Sequence, residues 1–81
     1  MENRIAILGI FVKDRDSVQA VNDLLHHSAS YILGRMGLPC RDREVNIISI
    51  ILDAPKDHIG ALAQELAELP GVSVKSMRAD F

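Results

Sequence analysis

An α+β fold of βαββαβ order is predicted for this chain of 81 residues, and three observations carry it. Two segments, Arg4 to Val12 and Val45 to Leu52, are apolar at nearly every position and rich in β-branched residues. Each is followed by a segment with apolar residues at helical spacing, and each helix leads to a strand that alternates apolar with polar. The two strand-helix-strand halves share a weak repeat, Val12-Lys13-Asp14 before Val18-x-x-Val21 and Leu52-Asp53-Ala54 before Ile59-x-x-Leu62. Right-handed crossovers then give the split βαβ, ferredoxin-like arrangement, a four-stranded antiparallel sheet of order 4-1-3-2 with both helices on one face. Residues 1–81 are read as one such domain.

In the first strand Ile5, Ile7 and Phe11 share one face, and Ala6, Leu8, Ile10 and Val12 the other. Lys13-Asp14-Arg15-Asp16-Ser17 breaks the pattern with short polar side chains that accept hydrogen bonds from the free N–H groups of a helix's first turn. Val18, Val21, Leu24 and Leu25 form the apolar stripe of the first helix, which closes on His26-His27-Ser28. Tyr31 to Leu38 is expected as the second strand, with Ile32, Gly34 and Met36 opposite Tyr31, Leu33, Arg35 and Gly37, and Pro39 ends it. Arg41 to Glu44 has hairpin-turn length. In the third strand Ile48, Ile50 and Leu52 face one way, and Val45, Ile47 and Ile51 the other. Asp53 to Asp57 is a second helix entrance, with Pro55 pre-set for a first helical position. Ile59, Leu62, Ala63, Leu66 and Leu69 stripe that helix, Pro70-Gly71 stops it, and Val72 to Met77 alternate in the last strand.

A charge of −2, with Arg41 and Arg43 alternating with Asp42 and Glu44, leaves no basic stripe and argues against direct nucleic-acid binding. No apolar run is long enough to span a bilayer, and Met1-Glu2-Asn3-Arg4 lacks a signal-peptide layout, so a cytoplasmic protein is expected. The single Cys40 has no Cys-x-x-Cys partner. Adjacent His26 and His27 diverge around a helix and do not converge on one ion, so neither metal nor cofactor is expected.

With both helices on one side of the sheet, the second apolar face of the central strands is left in water. Contiguous apolar patches of more than a few hundred Å² are rare on soluble monomers. Self-association into a dimer or tetramer is therefore expected, through the open face with Ile5, Ile7, Val45, Ile47 and Ile51 or by side-by-side strand pairing, or else a partner protein covers that face. Asp14, Arg15, Ser17 and Arg35 are the candidates for a small-molecule effector, because polar groups at a strand-to-helix turn can orient an anion or amino acid. Helix capping and a surface charge account for the same four residues without a ligand. An enzyme would have to draw on His26, His27, Cys40 and His58, which scatter over helix ends and a turn.

Arg4-Ile5-Ala6-Ile7-Leu8-Gly9-Ile10, Tyr31-Ile32-Leu33-Gly34-Arg35-Met36-Gly37-Leu38-Pro39, Ile48-Ser49-Ile50, Ile59-Gly60-Ala61-Leu62 and Leu69-Pro70-Gly71-Val72 together resemble the small proteins named as regulators of the iron-only hydrogenase system. The resemblance runs nearly end to end. It implies an ACT-like variant of the fold, a homo-oligomer, and a non-catalytic regulatory part in the maturation or expression of that hydrogenase. Amino-acid-sensing ACT domains are similar at Asp14-Arg15 but usually continue with Pro-Gly, where this chain has Asp16-Ser17. Alternatives are a small ferredoxin-like enzyme and a purely structural interaction module.

Overall fold

The computed structural model describes residues 2–80. The β-branched segments form the two longest strands, β1 (Asn3–Val12) and β3 (Val45–Pro55), which pair antiparallel from Asn3 opposite Pro55 to Val12 opposite Asn46. β2 (Ile32–Cys40) lies outside β3, and β4 (Val72–Arg78) lies outside β1. The order β2-β3-β1-β4 is the expected order read from the opposite edge. Helices α1 (Val18–His27) and α2 (Lys56–Ala67) supply the second layer.

Alternation along the central strands sorts their side chains cleanly. Ala6, Leu8, Ile10 and Val12 of β1 join Ile48, Ile50, Leu52 and Ala54 of β3 in the core, closed from above by Val21, Leu25, Ile59, Leu62 and Leu66. The two helix stripes therefore face the sheet as their spacing requires.

Three local expectations are corrected. Pro39 does not end β2, which continues to Cys40 with Pro39 opposite Asn46. An edge strand tolerates the missing N–H, because only one side of it joins the ladder. Pro55 is not the first residue of α2. β3 extends through it, and Pro55 caps the helix in an extended conformation, φ −57° and ψ 144°.

The third correction concerns the faces of β2. Ile32 pairs with Leu52, yet Gly34 pairs with Ile51, so Leu33 is an extra residue in a bulge. An insertion inverts the period-2 parity beyond it. Ile32 packs against the core, whereas Gly34 and Met36 lie with Ile51 and Ser49 on the open face instead of sharing the face of Ile32. Leu38, opposite Ile47, follows them. Arg35, opposite the buried Ile50, is carried to the helix side.

Candidate functional site

The turn between β1 and α1 is committed to holding the chain together. The Asp14 carboxylate accepts from the Asp16 N–H at 2.9 Å, a local turn that opens a short 3-10 segment, Arg15–Ser17. Ser17 is buried and its hydroxyl donates to the Pro70 carbonyl at 2.6 Å. The Lys13 N–H donates to the Gly71 carbonyl at 2.8 Å. The α2–β4 turn is thus pinned onto the entrance to α1.

The four residues expected to share an effector site fall in different places. Asp14 serves the local turn and Ser17 the bond to Pro70. Arg35 lies against α1, where its Nη2 donates to Asn22 Oδ1 at 3.2 Å, in a shallow cleft with Asp23 and His26. Arg15 lines another cleft, of about 670 Å³, between the β1–α1 turn and the β2–β3 hairpin. Its other walls are Val12, Lys13, Pro39, Cys40, Arg41, Glu44, Val45 and Asn46. Lys13, Arg41 and Asn46 were not singled out by the sequence, since only pairing of β1 with β3 brings the turn beside the hairpin.

The catalytic candidates stay dispersed. His58 meets the buried Ser28 hydroxyl at 2.9 Å and stacks on Tyr31 with ring centroids 4.5 Å apart, linking α2 to the end of α1. His26 and His27 are exposed in the last turn of α1, and Cys40 is a half-buried free thiol at the end of β2. Among the described residues no three His, Cys, Asp or Glu side chains are grouped to hold a metal.

Among the described residues, most of the exposed large hydrophobic side chains lie on the open face of the sheet. Ile7 (39% exposed), Phe11 (40%) and Ile51 (42%) form its centre, and Met36 (61%), Leu38 (58%) and Met77 (65%) its flanks. Ile5 is similarly exposed, while Val45 and Ile47 are half-buried on the same side. Met36 and Leu38 escaped the sequence reading because of the bulge.

Residues 4–76 match the family model TM1266-like, described as "Iron-only hydrogenase system regulator, putative". The chain belongs to the TM1266-like family. The structure of the uncharacterised protein TM1266 from Thermotoga maritima is 38% identical, with 98% of this chain and 100% of that one covered, at a TM-score of 0.94. Two further structures share the fold alone with this TM1266-like chain. The C-terminal domain of MgtC from Mycobacterium tuberculosis is 15% identical over 98% of this chain and 90% of that one, with a TM-score of 0.75. The apo form of CPII from Thiomonas intermedia K12, a nitrogen regulatory PII-like protein, is 18% identical over 94% and 91%, with a TM-score of 0.54. No curated protein matches the chain. Among the described residues of this TM1266-like protein, no helix is long and apolar enough to cross a membrane.

Proposed function

We propose that this TM1266-like chain is a regulatory module of the iron-only hydrogenase system, without chemistry of its own, that works as a homo-oligomer joined through its open sheet face. Small-effector or partner binding acts by changing that assembly. The observation that carries the reading is the apolar face itself. Across β2, β3, β1 and β4 the side chains of Leu38, Ile47 and Phe11 form one ridge, and Ile51, Ile7 and Met77 a second. Between the ridges runs a row with Ser49 and Gly9 at its middle.

Neither helix covers this face, and removing its apolar surface from water is worth about 25 cal/mol per Å². Charge does not oppose stacking of two copies. Between the Ile5 and Phe11 rows the face carries only Asp53, opposite Ile5, and Lys75, opposite Gly9. A two-fold interface presents the same patch from both subunits, which a nearly neutral apolar face permits. A dimer or a tetramer satisfies the requirement. The family description supports the regulatory assignment.

The test is the solution mass of the full chain by light scattering, with Ile51→Lys and Ile50→Lys compared by circular dichroism. Wild type is expected to be an oligomer, and Ile51→Lys a folded species of lower mass. Ile50 is fully buried, so Ile50→Lys is expected to unfold. A wild-type monomer, or an Ile51→Lys variant with unchanged mass, overturns the reading.

A further inference from the structure

The cleft between the β1–α1 turn and the β2–β3 hairpin has the charge and shape of a ligand site. Its floor is the row Val12, Asn46 and Pro39, in which one side chain of β1, one of β3 and one of β2 lie abreast. Lys13 and Arg15 rise from one wall and Arg41 from the other, against a single carboxylate, Glu44. Among the described residues none of these three cations has a carboxylate oxygen within 4.0 Å, and the Asn46 amide makes no side-chain hydrogen bond.

Three cations against one carboxylate give the concavity a positive excess in a chain whose net charge is −2. Like charges held together repel, and a cleft with an excess of one sign focuses its field on what enters it. Guanidinium groups present planar pairs of donors suited to clustered anionic oxygens, and an ammonium adds a point charge. A volume of about 670 Å³ lies in the range of small-molecule sites.

We infer that this cleft binds a small polyanion, with Arg15, Arg41 and Lys13 holding its clustered oxygens and Asn46 completing the floor. The inference deepens the regulatory reading by naming the chemical class of its effector. The chemistry is shared by oligophosphates and by polycarboxylates. Cys40 and Val45, which pair across the hairpin, line the cleft and end the strands that carry the open face. The site is therefore continuous with the surface proposed for assembly.

The experiment titrates isotope-labelled full-length protein with inorganic pyrophosphate and, separately, with citrate, at constant ionic strength set by sodium chloride, following backbone amide shifts. Saturable shifts centred on Lys13, Arg15, Arg41 and Asn46 are expected with at least one anion, and the anion that binds identifies the source as phosphate or carboxylate. Arg15→Gln and Arg41→Gln should each weaken binding about tenfold or more, because each removes a charge-assisted contact, while Arg43→Gln should change it by less than about twofold. Arg43 sits on the same hairpin and carries the same charge but does not line the cleft. Glu44→Gln, which removes the opposing carboxylate, should tighten binding. Absence of saturable shifts with both anions, or equal weakening by Arg43→Gln, overturns the inference. Light scattering on the same samples reports the assembly independently, so loss of this site leaves the sheet-face reading to stand or fall by its own mass measurement.

Discussion

The hydroxyl of Ser17 donates a 2.6 Å hydrogen bond to the carbonyl of Pro70, joining residues 53 positions apart in the chain. Ser17 precedes the first residue of α1, but its side chain makes no capping bond to that helix. Its bond instead fixes the α2–β4 turn against the β1–α1 turn, so both crossovers end on one another.

Ser17→Ala should cost about 0.5 to 1.5 kcal/mol, since it removes a part-buried hydrogen bond whose acceptor, the carbonyl of the exposed Pro70, can turn to water. Urea unfolding measures this directly. Polyanion affinity of the folded variant should be unchanged, because Ser17 does not line the Arg15 cleft.

Gly71 is the second half of the same clamp. Its φ of +70° lies in the left-handed region, and a Cβ built there would stand 2.7 Å from Asp14 Cβ and 2.9 Å from Asp14 N. Gly71→Ala should therefore lower the melting temperature by more than backbone strain alone, which is of order 1 to 3 kcal/mol. Relief by the far end of a flexible side chain is not available, since the atoms met belong to the Asp14 backbone and Cβ.

The bulge at Leu33 makes a different kind of prediction. Met36→Lys and Leu38→Lys should disperse the oligomer as Ile51→Lys does, because all three lie on the open face. Arg35→Ala, on the helix side, should leave the mass unchanged and cost less than about 0.5 kcal/mol, as its exposed bond to Asn22 is readily replaced by water. Light scattering together with thermal melts separates the outcomes. If Arg35→Ala disperses the oligomer and Met36→Lys does not, the parity of β2 is the uninverted one.

Much of the fold is legible in local pattern. The double apolarity of Arg4 to Val12 and Val45 to Leu52 marks strands whose helix-side residues build the core and whose alternate residues build the open apolar face. The stripes from Val18 to Leu25 and from Ile59 to Leu69 are set by the helical period, so the faces they bury follow from side-chain direction alone. The separation of Ile47 and Ile51 from Ile48 and Ile50 is equally a matter of alternation.

The sequence by itself therefore determined the element order and the apolar second face, which rest on the period of a helix or strand, and the sheet topology, which follows from that order and right-handed crossovers. Tertiary structure alone decided the rest. An extra residue at Leu33 breaks the period that β2 is read with, and only pairing to β3 reveals it. Ser17 and Asp14 are polar residues at a helix entrance in the sequence, and only the approach of Pro70 and Gly71 shows that they hold a turn in place. Lys13, Arg15 and Arg41 carry no motif. Strand pairing brings them around one cleft, and distances across a sheet are not written in local periodicity.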